Sequence, residues 1–161
     1  MTTLVMPGRL LGAAALLAAW IGAAALVAAV VAPSAFAVLP TRALADALLG
    51  RVLPVVFVAG LLVGLGAAAL GWYAAPAFAR TRLVLPIVAA ALCAGAQFGV
   101  GPRIQRVRAQ IGPSVEALAP TDPLRREFGR LHGVSVALMG AGMLAAGAAL
   151  VLTGVAATRG R

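Results

Sequence analysis

The sequence predicts an all-α membrane protein, a four-helix transmembrane bundle. Of its 161 residues, 63% are hydrophobic and 11% are charged, a composition typical of a chain that lies mostly in hydrocarbon. A membrane-spanning helix needs about 20 predominantly apolar residues. Four stretches meet that requirement, and they cover approximately residues 10–32, 52–73, 83–101 and 131–156. The connections are short, so we expect residues 1–161 to form a single four-span domain.

The first apolar stretch could be a retained span or a cleaved signal peptide. The sequence Ala35-Phe36-Ala37 after it has the small-x-small form that signal peptidase accepts. However, residues 10–32 are longer than the hydrophobic region of a signal peptide, which usually has about 7 to 15 residues. We therefore expect the first span to be retained.

The segment after the first span predicts a short helix at the membrane interface. Pro33 is expected to end the span, and Thr41 is a suitable N-cap for a helix through Leu48. Arg51 and Pro54 then precede the second span. Pro54 is expected in the first turn of that span, where its missing N–H costs little.

The connection between the third and fourth spans predicts two helical extensions. Beyond Pro102, apolar residues recur at helical spacing as far as Ile111, so that helix is expected to continue along the surface to Gly112. Asp122 followed by Pro123 has the pattern of an N-cap and a first helical residue. A helix from residue 123 to residue 156 would be about 51 Å long, well beyond a hydrocarbon core of about 30 Å.

The net charge of +9 comes from thirteen arginines at the ends of the apolar stretches. No aromatic residues interleave with them as in a base-stacking surface, so nucleic acid is excluded as a partner in favour of the bilayer and its anionic headgroups. With four spans, eight arginines are expected on the side of the membrane where the second and fourth spans begin, and five on the side of the two termini. The positive-inside rule then predicts that both termini lie outside a cytoplasmic membrane.

Polar residues on the last two spans form a candidate binding stripe. On the fourth span Phe128 is followed at spacings of three or four residues, on one helix face, by His132, Ser135, Met139 and Met143; the third span adds Cys93 and Gln97. Thiolate, imidazole and thioether groups are ligands for copper(I). Methionine and a lone cysteine are equally typical of core packing. Without a tight ligand spacing, no metal site is firmly predicted.

His132 has two interpretations. It could handle protons, because its ordinary pKa lies near 6.5, or it could fix the start of the last span through a hydrogen bond. The four acidic residues all lie outside the spans, so no carboxylate continues a proton relay, and we favour the structural interpretation. No hydrolase, zinc-protease or phosphate-loop motif is present. We therefore expect no enzymatic activity and no cofactor.

Several of these segments together resemble the transmembrane protein 205 family, whose bacterial members carry a domain of unknown function numbered 4149. The resemblance lies in Pro33 with Phe36, Leu39-Pro40, Leu53-Pro54, Gly101-Pro102-Arg103, and Phe128 with Leu131-His132-Gly133 and Ser135. It implies a four-span protein of the bacterial cytoplasmic membrane. Met139 stands where the family commonly has asparagine. The vertebrate member is associated with resistance to platinum drugs.

Two functions remain open at this point. In the first, the protein moves or senses a small solute or metal through the polar stripe. In the second, it is a structural or assembly subunit that binds another membrane protein or a second copy of itself. The second function would use the arginine-rich connection and the glycine pairs Gly60–Gly64 and Gly95–Gly99, whose spacing lets helix backbones approach closely.

Overall fold

The computed structural model describes residues 5–72, 79–112 and 115–159. It is 94% helical, and no strand occurs in these ranges. The six α-helices, in chain order, are α1 (Val5–Leu26), α2 (Ala32–Val38), α3 (Arg42–Trp72), α4 (Ala79–Ala94), α5 (Gly101–Ile111) and α6 (Pro123–Arg159). The predicted all-α class is confirmed.

Within the part of the chain that the structure describes, four continuous helical segments are long and apolar enough to cross a membrane, as predicted. They are Gly8–Val38, Arg42–Trp72, Arg80–Ile111 and Pro123–Ala156. At about 1.5 Å per residue, segments of 31 to 34 residues measure about 46 to 51 Å. Each is longer than the hydrocarbon core, so helical extensions stand beyond it.

The first span does not end at Pro33, and that prediction is wrong. A π-helical segment, Val27–Val31, joins α1 to α2, so the helix continues as far as Val38. A second π-helical segment, Gly95–Val100, joins α4 to α5. In both cases a proline, Pro33 or Pro102, is the second residue after the π segment. The wider turn accommodates a residue that lacks an N–H and whose ring crowds the preceding turn.

The short helix expected at the membrane interface after the first span is not a separate element. Its residues form the beginning of α3, the helix of the second span. The Leu44 N–H donates to the Thr41 hydroxyl at 3.3 Å, so Thr41 caps α3 as predicted. However, α3 then continues without a break through Arg51 to Trp72, and Pro54 lies inside it instead of in its first turn. A helix loses only one main-chain bond at a proline, here the bond to the Gly50 carbonyl.

The predicted helix boundaries in the third connection are confirmed. The helix continues beyond Pro102 as α5 and ends at Gly112, whose φ of 84° is in the region that favours glycine. The Leu124 N–H donates to the Asp122 carboxylate at 2.8 Å, and α6 begins at Pro123.

The four long helices form a ring in chain order. Contacts join α1 to α3, α3 to α4, α4 to α6, and α6 back to α1. Trp20 lies buried in the middle, where its indole N–H donates to the Val56 carbonyl at 2.9 Å. Leu17, Phe57, Cys93 and Met139 belong to the same buried core.

Only one of the two predicted glycine pairs makes a close helix contact. A Cβ atom on Gly60 would lie 2.6 Å from the Cys93 sulfur, and one on Gly64 would lie 2.5 Å from the Pro86 carbonyl oxygen. Gly60 and Gly64 therefore allow α3 to approach α4. By contrast, a Cβ on Gly95 or Gly99 would meet no atom of another described helix within 4 Å.

A candidate binding cavity at one end of the bundle

A cavity of about 440 Å³ lies among the helices at the end of the bundle where α3 and α6 begin. Residues of α2, α3, α5 and α6, of the π segment after α1 and of the short 3-10 helix Val115–Ala117 form its wall. The aromatic residues of the wall are Phe36, Phe57 and Phe128, and its polar residues are Arg42, Asp46, Gln105, Arg108, His132 and Ser135. Mostly apolar lining with a few convergent polar groups is typical of a small-molecule site.

The main polar feature of the wall is an ion pair between α3 and α5. The Arg108 guanidinium forms a salt bridge with the Asp46 carboxylate through Nη2, and its Nη1 donates to the Asp46 carbonyl at 3.2 Å. Both side chains are 23% exposed. The pair joins two residues that are 62 positions apart in the chain, and it connects α5 to the start of α3.

Phe128 contacts both Arg108 and His132. The Arg108 guanidinium carbon is 5.6 Å from the centre of the Phe128 ring, within the range of a cation–π contact. The rings of Phe128 and His132 stack with centres 6.2 Å apart and planes 10° apart. We call these three residues the Arg108–Phe128–His132 stack. It places the guanidinium and the imidazole against the same phenyl ring.

The residues of the predicted stripe on α6 lie in two places. His132, Ser135 and Met139 lie on the cavity wall; Ser135 and Met139 are buried, and His132 is exposed. Met143 is half-buried and packs against the hydrophobic core outside the wall. The imidazole of His132 makes no hydrogen bond to the described part of the chain and contacts Phe128 by stacking instead.

The two residues predicted from the third span lie outside the wall. Cys93 is fully buried in the core, beside Gly60 and Trp20. Gln97 is half-buried within the second π segment. Among the residues that the structure describes, no three His, Cys, Asp or Glu side chains come together as a metal site would require.

The residues that carry the family resemblance have several structural positions. Phe36 and Phe128 line the cavity, and Pro54 is half-buried inside α3. Pro40 is exposed in the turn before α3, and Arg103 is exposed on α5 away from the wall. Pro33 and Pro102 lie just after the π segments, at the start of α2 and of α5. Both of these helices contribute residues to the wall of the cavity.

A second cavity, of about 370 Å³, adjoins the first. Its wall includes Ala43, Ala109 and Gly112, and it shares Asp46, Gln105, Arg108 and Val115 with the first cavity. The ion pair therefore lines both cavities. We call the 440 Å³ space the inner cavity and the 370 Å³ space the outer cavity.

Four polar residues of the wall were not predicted as site residues from the sequence, namely Arg42, Asp46, Gln105 and Arg108. A usable signal was present, because Asp46 is the one acidic residue before Glu116 in a chain of thirteen arginines. Such a carboxylate near an apolar segment is expected to pair with a cation. Which arginine it would meet depends on how the helices pack.

The comparisons with known proteins point to one family. Residues 15–113 match the domain of unknown function DUF4149. No curated protein and no solved structure matches the chain. The matched residues include Asp46 and Arg108 and end before Phe128 and His132. Because the match covers more than half of the chain, this four-span protein belongs to the DUF4149 family.

Proposed function

We propose that the protein binds a small solute in the inner cavity and carries it across the membrane, without enzymatic activity. The cavity is the observation that carries this proposal. Its volume of about 440 Å³ falls within the usual range for small-molecule sites, about 300 to 1,000 Å³. The helices α2, α3, α5 and α6 all contribute residues to its wall, so a bound solute would contact four helices at once.

A metal ion fits the cavity less well than an organic solute. The wall brings one carboxylate, one imidazole and one thioether to the same space as two guanidinium groups. Cationic neighbours disfavour a metal ion, and the Asp46 carboxylate is already paired with Arg108. The thiol of Cys93, the strongest soft ligand of the predicted stripe, lies outside the wall.

The proposed location is a bacterial cytoplasmic membrane, with both termini outside and the two cavities at the cytoplasmic end. The arginine distribution supports this orientation. The resemblance to the transmembrane protein 205 family supports a role in solute handling, since its vertebrate member is associated with drug resistance.

A cavity-filling variant tests the proposal. Purified protein in neutral nanodiscs is heated with solutes of each class, namely copper(I) and zinc salts, organic cations, organic anions and sugars. We expect one class to raise the Tm of the wild type and leave that of Ser135→Leu unchanged, because the added carbons occupy the cavity. The matched control is Ser34→Leu, an exposed serine of α2 outside the wall.

The same solute should then enter liposomes that contain the wild type faster than liposomes that contain Ser135→Leu. If no class of solute distinguishes Ser135→Leu from Ser34→Leu, the cavity is not a binding site. Binding without uptake would contradict the carrier function and would support a role as a sensor or a binding protein.

An assembly subunit is the second candidate, favoured by the outer face of α6. Gly133, Gly140, Gly147 and Gly154 recur every seven residues, and a Cβ on any of them would meet no atom within 4 Å. Small residues at such spacing allow another helix to pack closely. Crosslinking in membranes tests this function: a partner recovered in equal amount with the wild type, and lost with Gly140→Leu, would support it.

A further inference from the structure

We infer that the inner cavity receives its solute from the surrounding lipid leaflet, through a lateral opening between α2 and α6, and that this solute carries an alkyl chain. The inference rests on the proposed function, because it names the class of solute and the side from which the solute enters. Three features carry it: the exposed edges of the wall, the depth of those edges in the membrane, and the change from apolar to polar residues along the wall.

The wall of the inner cavity has an exposed edge on the fourth span. Ser135 and Met139 are buried, whereas His132 and Val136, which line the same cavity, are exposed. His132 and Val136 are one helical turn apart, so they form a continuous edge along α6. Val136 is 50% exposed. At this edge the buried part of the wall passes into the outer surface of the bundle.

A second edge runs along the first span. Ala28, Ala32 and Phe36 follow one another on the wall at intervals of four residues. Ala28 is exposed, Ala32 is half-buried, and Phe36 is 42% exposed. Within the described part of the chain α1 packs along α6, whereas α2 packs on α3. The first and fourth spans therefore diverge after α1, and the cavity opens between their two edges.

The two edges lie partly at the depth of the lipid chains. Ala32 and His132 lie at the ends of the apolar stretches 10–32 and 131–156, and Ala28 and Val136 lie farther inside them. One helical turn of four residues extends the edges by about 6 Å into the hydrocarbon core. No water is available at that depth, so this part of the opening faces acyl chains. A solute that enters there must be dissolved in the leaflet.

The wall changes from apolar to polar towards the membrane surface. Phe57 and Met139 line the part within the apolar stretches, while Asp46, Gln105 and Arg108 line the part on the helical extensions beyond them. A water-soluble solute would have to exchange water for the apolar part, which is costly for its polar groups. An alkyl chain from the leaflet exchanges one apolar environment for another. Its polar end group would then lie level with Gln105.

The outer cavity is the alternative entrance, and it would admit a solute from water. It shares Asp46, Gln105 and Arg108 with the inner cavity. Its wall also includes Ala109, an exposed residue of α5 that does not line the inner cavity. The lateral opening has Val136 at its edge, and Val136 does not line the outer cavity. The two entrances can therefore be narrowed separately.

The experiment is photolabelling of the full-length protein in phosphatidylcholine nanodiscs by hexadecanol with a diazirine on its chain. Mass spectrometry of peptides locates the adducts. We expect adducts on the buried residues Ser135 and Met139, as well as on Leu144, which is 77% exposed on α6 and lies outside the wall. Relative to Leu144, labelling of Met139 should fall at least fivefold in Ser135→Leu, because the added carbons occupy the cavity.

Val136→Trp tests the lateral opening, and Val134→Trp is its matched control. Both valines are exposed on α6, but only Val136 lines the wall. We expect Val136→Trp to reduce labelling of Met139 at least fivefold, and Val134→Trp and Ala109→Trp to leave it unchanged. If Val136→Trp does not fold, Ala28→Trp narrows the same opening from the first span.

A second probe identifies the source of the alkyl chain. It is phosphatidylcholine with the diazirine in one of its two chains, incorporated as the nanodisc lipid. Labelling of Met139 by both probes would identify a chain of the bilayer phospholipid as an occupant of the cavity. Labelling by hexadecanol alone would identify a separate single-chain solute. Either outcome supports entry from the leaflet.

Two results overturn the inference. The first is labelling of Leu144 in the wild type without labelling of Ser135 or Met139. The second is labelling of Met139 that Val136→Trp leaves unchanged or that Ala109→Trp lowers as strongly. If a water-soluble solute distinguishes Ser135→Leu from Ser34→Leu while Met139 stays unlabelled, lateral entry fails and the binding cavity remains. If no solute distinguishes them and Met139 stays unlabelled, both fail.

Discussion

At the scale of single residues, two glycines of α3 set the distance between α3 and α4. Gly64→Ala would place a Cβ atom 2.5 Å from the Pro86 carbonyl oxygen and 2.9 Å from the Ala90 Cβ. Main-chain atoms cannot move aside as the end of a flexible side chain can, so the helices must separate. We expect a loss of about 1 to 3 kcal/mol in the free energy of unfolding.

The measurement for Gly64→Ala is unfolding in mixed micelles, followed by circular dichroism as the denaturing detergent is increased. Gly140→Ala is the matched control, because a Cβ at Gly140 meets no atom within 4 Å. It should stay within about 0.5 kcal/mol of the wild type. Equal losses in the two variants would contradict the close approach at Gly64.

The chemistry of individual residues was predictable only where the partner is local. Thr41 and Asp122 cap helices whose N–H groups are two or three residues away, and both caps were predicted correctly. The Asp46–Arg108 pair joins residues 62 apart, so its formation depends on packing that spacing along the chain does not encode. For the same reason the sequence indicated His132 and Ser135 of α6, which line the cavity, but none of the polar residues that α3 and α5 contribute to its wall.

At the scale of helices, the two π segments allow long spans to continue past prolines. A π turn closes its hydrogen bond one residue later than an α turn and so contains one extra residue. Deleting Gly99 should let Gly95–Val100 close as an ordinary α-helix, with α4 and α5 keeping their faces. We expect the Tm to change by only a few degrees.

Deleting Ala91 from the regular part of α4 is the control for the Gly99 deletion. There the missing residue rotates one part of the helix against the other by about 100°. Ala89 and Ala90 are buried on one side of that position and Cys93 on the other, so one set must leave the core. We expect a loss of more than about 3 kcal/mol, or no folded protein. Similar Tm values for the two deletions would contradict this interpretation.

Helix ends in this chain show which signals are reliable from sequence. Gly112 and the Asp122-Pro123 pair marked true boundaries, because a positive φ and an N-cap act at the end of a helix. Pro33 and Pro54 did not mark boundaries, since each removes one donor from a helix that other contacts hold in place. In an apolar chain, proline alone is therefore a weak stop signal.

At the scale of the whole molecule, the arginine distribution predicts which end of the bundle faces the cytoplasm. Of the arginines that the structure describes, eight lie at the end with the two cavities and four lie at the opposite end. By the positive-inside rule, both termini should be outside. A C-terminal alkaline phosphatase fusion is expected to be active, and a C-terminal green fluorescent protein fusion is expected to be dark.

A bright fluorescent fusion with an inactive phosphatase fusion would reverse the orientation and place the cavities outside. The ring of four helices was predictable as a bundle from the lengths of the apolar stretches. The order of the helices around the ring was not, because the apolar faces of the spans are too uniform to identify their neighbours.

That order has a consequence for how the protein is made. Since α3 contacts α1, and α4 contacts α3, each new span can dock on the one that left the ribosome just before it. The last helix contacts both α4 and α1. It therefore packs against the first span to be synthesised and against the span synthesised just before it. Until α6 is inserted, α1 and α4 each present an uncovered flank to the lipid, where a membrane chaperone or protease could act on the nascent chain.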